Sequence, residues 1–339
     1  MNRRQGSPWA AVIFVAPFAA AFLLFFAGPT LFGLVLSFFD WEMLSGLPPH
    51  FVGVANYREA LGDARFLRSL VVTGGFVLMT VPMNLLVALG LAAAVSALPR
   101  RQGLYRSVIY LPVLLNITVA ALLWRWFYST KFGLFNKLLQ PWGVQWPWLT
   151  DAALALPSIS LMTVWWTSGV SFLILLTAFQ QVSPSLYEAA EIDGASPWQK
   201  FRFVSLPQIG PVLGFCLLIE FLASCKVFGQ TFLMTGGGPE GATRVAMQYI
   251  YETGFSFFRM GYASALSRLT STSGLRRWNS RISPTICSPS GPVNPVQKLI
   301  GIFFEARKSG EDQIQNKAAR SRDIDPQTLN PKPFLILFF

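Results

Sequence analysis

Three carboxylates and a glycine, Glu188, Glu191, Asp193 and Gly194, crowd into EAAEIDGASPWQKFRFVSLP, a charged stretch from Glu188 to Pro207 between two long apolar segments. Carboxylates at this density offer acceptors to a partner's Arg or Lys, and the small side chains of Ala189 and Ala190 let another backbone come close. Elsewhere the residues for catalysis are scarce. The apolar segments hold no His pair, no Ser/His constellation and no clustered carboxylates, which disfavours an enzyme embedded in them. His50 follows two prolines in a polar loop and reads as solvated. Cys216 and Cys225 lie in an apolar run and Cys287 in a polar stretch, so no disulfide or metal framework is apparent. No cofactor and no metal site are expected. Polar groups inside apolar runs are expensive to bury in lipid; these are Asn84, Asn116, Glu220 and Lys226, with Arg125 near the end of a run. Glu220 and Lys226 are six positions apart and do not share one face of a helix.

The local signals around the carboxylates predict two short helices joined at a glycine. Ser185 with Glu188 three residues on makes a capping-box pattern, and Pro184 is tolerated so near a helix start. Gly194 supplies a stop. Ser196 and Gln199 repeat the capping pattern with Pro197 at the first helical position, and the second helix is expected to end near Leu206 and Pro207. An amphipathic helix lying on a membrane surface usually carries Lys and Arg on its polar face. The first of these helices is acidic, which favours docking on a protein.

Composition sets the surroundings. With 339 residues, 53% hydrophobic, 13% charged and a mean hydropathy of +0.45, the chain is too apolar for an ordinary soluble domain. Five runs are long enough to cross a bilayer: Trp9 to Phe39, Ser69 to Leu98, Tyr105 to Tyr128, Leu154 to Gln181 and Ile209 to Met234. The first follows Arg3 and Arg4 but far exceeds the apolar region of a cleavable signal, so it reads as a retained span interrupted by Pro17 and Gly28-Pro29. The fold class is therefore an all-α integral membrane protein, a polytopic helix bundle. The dense cluster Arg100, Arg101 and Arg106 should stay cytoplasmic. That places the N-terminus and the loop from Val182 to Gln208 on the same side. The opposite loops carry Trp142, Trp146 and Trp148, suited to a membrane interface. The net charge of +11 says little about ligands, because more than half of the excess lies beyond Ser267. Scattered basic residues without a recognition motif argue against nucleic acid. The glycines of TGGGPEG at 235–241 read as a plain permissive turn or as a docking turn for an extracytoplasmic partner, and no Walker-type phosphate loop occurs.

EAAEIDGASPWQKFRFVSLP resembles the EAA loop of the inner-membrane permeases of binding-protein-dependent ABC importers, with the EAA, the glycine and the closing LP in place. YRSVIYLPVLLNITVAALLWRWFY and LMTGGGPEGATRVAMQYIYETGF resemble the carbohydrate-import branch, whose features glycerol-phosphate importers share. The likeness covers roughly residues 9 to 267. It implies a permease subunit in the plasma (inner) membrane that forms half of a translocation pathway for a sugar or related polyol. It further implies a second, non-identical permease subunit, cytoplasmic ATPase subunits that carry out the hydrolysis, and an extracytoplasmic solute-binding protein. Glu188, Ala189, Ala190, Asp193 and Gly194 would be the ATPase-coupling contacts, and Asn116 and Glu220 the candidates for the substrate pathway. Polar residues of this kind also serve helix-to-helix hydrogen bonding. A membrane scaffold or receptor that docks a cytoplasmic partner without transport is the alternative.

The family pattern expects a sixth span after GYASALS at 261–267. From Arg268 the sequence turns to Ser, Pro, Arg and Thr, and no apolar run long enough to cross follows. Residues 1–267 thus read as the permease domain, with its loop at about 183–208. Residues 268–339 read as an irregular, disordered tail or as the product of a frameshifted or fused reading frame.

Overall fold

The computed structural model describes residues 8–98 and 102–271, with side chains from residue 15 onward. Arg3, Arg4, Arg100, Arg101, Cys287 and the segment from residue 272 lie outside the described residues. The chain opens with α1 (Pro8–Phe22), passes through a wide π-type turn at Leu23–Ala27 and continues as α2 (Gly28–Leu36). A two-residue antiparallel pairing follows, β1 (Phe39–Asp40) with β2 (His50–Phe51), then α3 (Ala55–Gly62) and the long α4 (Ala64–Ser96). The middle of the chain holds α5 (Gln102–Tyr110), α6 (Ile117–Phe127), α7 (Leu134–Leu139) and α8 (Ala152–Gln180). Then come α9 (Pro184–Ile192), α10 (Pro197–Gln199), α11 (Leu206–Cys225), α12 (Gly229–Thr235), α13 (Ala246–Tyr251) and α14, over 260–271.

Among the described residues, four helices are long and apolar enough to cross a membrane: Val15–Leu36, Ala64–Ser96, Ala152–Gln180 and Pro197–Cys225. This is an all-α, multi-pass membrane bundle, and two of the expected spans need correction. The run from Tyr105 to Tyr128 is not one straight helix. Gln102–Leu114 and Ile117–Phe127 meet at 94°. Leu115 and Asn116 are both extended at the corner, and the Asn116 side chain accepts the Thr118 N–H at 2.9 Å to start α6. The Trp166 indole closes the corner by donating to the Leu115 carbonyl at 3.0 Å. The last span does not run from Ile209 to Met234. It occupies Pro197–Cys225 and stops at Lys226, with α12 starting afresh at Gly229.

The centre of the bundle is α8 against α4, with α11 and the α5 corner packed around them. Phe76 of α4, Trp124 of α6 and Ile159 and Met162 of α8 fill one layer. Ala88 and Ala92 of α4, Phe172 and Leu175 of α8 and Ile209 of α11 fill another. Close approach sets the position of α5. A Cβ on Gly169 would stand 2.9 Å from both the Ile109 carbonyl and Val113 Cγ2. At one end, Gln180 donates to Gln102 at 3.1 Å, so the end of α8 and the start of α5 share a face of the bundle.

The opposite end is fastened by Asp63. One of its oxygens caps α4 by accepting the Arg65 and Phe66 N–H groups, and the other accepts Tyr249 Oη at 2.6 Å and Tyr262 Oη at 2.8 Å. Burial works against ionisation of Asp63, but these four donors outweigh it and hold the carboxyl below the usual range. Glu59 adds a bidentate pair with Arg259 at 2.7 and 2.9 Å. His50 lies on this loop face, 3.7 Å from Asp40 and exposed.

Two outcomes test this packing. Gly169→Leu forces α5 away from α8 and should cost the roughly 1–3 kcal/mol of an overpacked core, read as a lower thermal unfolding midpoint of the detergent-purified chain. Because the Asp63 pKa is lowered in the fold, its contribution is complete above the ordinary carboxylate value and is lost as pH falls through the lowered one. Thermal stability should therefore decline below about pH 4, and Asp63→Asn should flatten that acid limb.

Candidate functional site

The carboxylate-rich segment forms a short exposed helix at the end of α8. Its cap differs from the expected one. Ser183, not Ser185, is the N-cap, with Pro184 at the first helical position and no side-chain capping bond. Ser183 and Ser185 share a hydroxyl contact of 2.8 Å instead, so the Ser185–Glu188 box does not form. The stop is where the glycine predicts it. Gly194 adopts φ +75°, its N–H donates to Glu191 O at 3.0 Å, and Ala195 N–H reaches back to Ala190 O at 2.9 Å. That pair of bonds is a Schellman closure, satisfying two carbonyls at the helix end. The second capping box forms as read: Ser196 Oγ accepts from Gln199 N, and Gln199 Oε1 accepts from Ser196 N at 2.7 Å.

The helix started by that box does not end at Leu206–Pro207. It runs on without interruption into the span, through a wide turn at Lys200–Ser205 in which Leu206 N–H bonds Phe201 O. The segment is therefore one free helix, α9, hinged at Gly194 onto the first turn of a 29-residue span. Two contacts tie α9 to that turn: Tyr187 Oη with Ser205 Oγ at 2.8 Å, and Glu191 with Lys200 at 3.3 Å. Glu188, Ala189, Asp193 and Gly194 are exposed and Ala190 is half-buried. Ile192 is 87% exposed beside them, an apolar side chain presented to water.

At its far end the same span reaches a cavity of about 330 Å³. Thr163 and Thr167 of α8, Glu220 and Ser224 of α11, and Lys226 and Gln230 around the break give it polar walls. Glu220 is 7% exposed, and its carboxylate accepts the Ser171 hydroxyl at 2.8 Å. Because α11 ends at Cys225, Lys226 leaves the helical path and lines the same cavity as Glu220. Asn116 sits at the corner beside Ile117, which lines the cavity, while its own oxygen caps α6. Asn84 donates to Thr167 Oγ1 at 2.6 Å and joins α4 to α8. Arg125 is exposed in the last turn of α6.

Sequence reading passed over Thr163, Thr167 and Ser171, although the signal was present. Ser160, Thr163, Thr167 and Ser171 recur at helical spacing through an apolar run, which lays a hydroxyl stripe along one side of α8. The TGGGPEG segment is a tight turn held from within. Gly236, Gly237 and Gly241 have positive φ, and the Thr243 hydroxyl meets Thr235 Oγ1 and the Gly238 carbonyl, both at 2.7 Å. Among the described residues no group of His, Cys, Asp and Glu is placed to hold a metal ion.

Comparison with known proteins gives consistent matches. The family described as "binding-protein-dependent transport system inner membrane component" matches residues 64–275. The sulfoquinovosyl glycerol transport system permease protein SmoG of Agrobacterium fabrum is 32% identical over 258 residues, 76% of this chain and 84% of that protein. The sn-glycerol-3-phosphate transport system permease protein UgpA of the same organism is 31% identical over 256 residues, covering 75% and 87%. The trehalose/maltose transport system permease protein MalF of Thermococcus litoralis is 33% identical over 225 residues, covering 65% and 75%. Among solved structures, a chain from a bacterial ABC transporter involved in the import of the acidic polysaccharide alginate superposes with a TM-score of 0.70. That match spans 83% of this chain and 96% of the other at 23% identity, a likeness of fold.

Proposed function

This chain belongs to the family of binding-protein-dependent transport system inner membrane components, and on that premise we propose that it is a permease subunit of an ATP-driven importer for a sugar or related polyol. In this reading it pairs with a second permease subunit to enclose the pathway and receives solute from an extracytoplasmic solute-binding protein. Separate ATPase subunits at the cytoplasmic face hydrolyse ATP. The N-terminus and α9 then face the cytoplasm, and the Asp63 end faces outward. Three of the relatives above carry names that specify a sulfosugar glycoside, a glycerol phosphate and two disaccharides, which supports a polyhydroxylated substrate.

The observation that carries the proposal is the unbroken helix from Pro197 to Cys225. It has α9 hinged at one end and Glu220 near the other. A partner that grips Glu188, Ala189, Ala190, Asp193 and Gly194 and moves α9 acts on one end of a rod whose other end forms a cavity wall. Coupling of this kind needs a rigid element that biases two arrangements of a bundle. Helical backbone in an apolar medium is stiff enough to be that element, because its peptide groups are bonded within the helix except where Pro207 and Pro211 have no N–H to give. In the cavity, Glu220 and the threonines of α8 would accept and donate hydrogen bonds to substrate hydroxyls. A site built in this way loses discrimination when one partner is removed.

Gly194→Pro cannot adopt φ +75° and removes the N–H that closes α9. It should abolish solute-stimulated ATP hydrolysis by the reconstituted transporter, whereas Gly194→Asn, which tolerates this backbone region, should retain most of it. If the chain were a scaffold or receptor, no ATPase would co-purify and neither variant would change hydrolysis. At the cavity, Glu220→Ala should raise the KM of sugar uptake roughly tenfold or more, and Glu220→Gln, which keeps an acceptor oxygen, should raise it less.

A further inference from the structure

Beyond the Glu220 cavity, four aromatic rings lie in mutual contact on the surface of the bundle. Phe228 follows the break after α11, Phe232 lies one turn on in α12, Tyr251 ends α13, and Phe255 belongs to the wide turn that follows. Ring centroids are 5.2 Å apart for Phe228 and Phe232, 5.2 Å for Phe228 and Tyr251, and 5.2 Å for Tyr251 and Phe255. Phe232 and Tyr251 close the set at 5.7 Å. These rings are far from buried: Phe232 is 41% exposed, Tyr251 39% and Phe255 61%.

Their position gives them a role. Phe228 lines the Glu220 cavity, and together with Tyr251 and Phe255 it also lines a second, larger cavity of about 660 Å³. Phe228 is thus common to both walls, with Tyr251 and Phe255 on the side of the larger space. The rest of its wall is largely apolar, from Pro29, Met247, Ile250 and Met260, with the hydroxyl residues Thr30 of α2 and Ser264 and Ser267 of α14 set among them. Lipid chains have no use for hydroxyls beside them. A pyranose needs both kinds of surface, because its axial C–H groups form an apolar face while its hydroxyls point outward around the ring.

We propose that Phe255, Tyr251 and Phe228 form a stacking track on which the pyranose ring of a transported saccharide passes from the α14 side into the Glu220 cavity. The proposal rests on the importer reading and adds the substrate chemistry and the route. Aromatic faces carry partial negative charge and attract the slightly positive C–H face of a sugar. Such contact is indifferent to rotation of the sugar in its plane. A saccharide can therefore step from ring to ring without breaking a set of directional hydrogen bonds at each step. The set would hold a sugar loosely until Glu220, Thr163 and Thr167 fix it by hydrogen bonding.

The test uses the whole transporter in liposomes, this chain with its second permease subunit, ATPase and solute-binding protein, and tritium-labelled disaccharides as probes. Tyr251→Leu and Phe255→Leu remove the flat faces and keep the apolar bulk. Each should raise the KM of uptake by a factor of roughly three to ten, Tyr251→Trp should restore it, and the second permease subunit should co-purify with all three. An unchanged KM in both leucine variants overturns the track. Loss of the second subunit from them also overturns it and makes the rings a subunit interface. If the wild-type transporter takes up none of the disaccharides the track is overturned, and if its ATP hydrolysis is also not stimulated by the solute-binding protein with any sugar or polyol, the importer reading falls with it. A failure confined to the variants sinks the track alone.

Discussion

Within a bilayer no water is available to a backbone N–H or C=O, so each must find its partner inside the protein. This chain accepts that constraint while placing prolines inside helices that cross. It meets the difficulty twice in the same way. Pro29 and Pro207 each lie just beyond a wide π-type turn, and in both the residue before the proline donates five residues back, Gly28 to Leu23 and Leu206 to Phe201. The turn moves the hydrogen-bond register ahead of the residue that has no N–H to give, and the helix continues. Just past Pro112, at Leu114, the outcome is different. The helix ends and turns through 94°, and its exposed backbone is satisfied by Trp166 from α8 and by the Asn116 side chain. Where the chain stays straight and where it bends decides which parts can move together.

The positions of the spans were readable because a run of apolar residues needs no tertiary context to declare itself. Their ends and continuity were not. YRSVIYLPVLLNITVAALLWRWF reads as one run by hydropathy, because Leu115 and Asn116 leave the helix through tertiary contacts that no local window contains. Pro207 misled in the opposite direction: it looks like a helix end, yet the wide turn before it lets the span begin ten residues earlier. Gly194 and the Ser196–Gln199 box were legible because caps are local chemistry, closed within a few residues. The Ser185–Glu188 pattern was local too and did not form, since Pro184 at the first helical position moved the cap to Ser183.

The polar interior has a similar division. Asn84, Asn116 and Glu220 stand out in sequence because each is a single costly residue in an apolar run. The hydroxyls of α8 do not stand out, since Thr and Ser are cheap in a helix, where they can bond the carbonyl three or four residues back. Thr163 bonds to Ile159 O and Thr167 to Thr163 O in this way, which leaves their remaining lone pairs for neighbours. Thr167 meets Asn84, and Ser171 meets Glu220. The stripe on α8 therefore joins α4 to α11 through hydrogen bonds that cross the packed core, and one side of it faces the cavity.

Magnitudes indicate what holds α9 in place. The Glu191–Lys200 pair is 3.3 Å long, but Glu191 is largely in water, so it contributes roughly 0–1 kcal/mol. The capping box after the hinge is worth about 1 kcal/mol. Neither would anchor α9 alone. The hinge itself is set by geometry: Gly194 occupies a backbone region closed to most residues, and its two closing bonds fix where α9 ends and the span begins. A joint defined by backbone conformation and only lightly tied by side chains keeps its direction while giving little resistance at its outer face. That combination leaves a helix whose own surface carries Ile192 and three carboxylates with few internal partners, and in the proposed importer a second protein would supply the missing contacts.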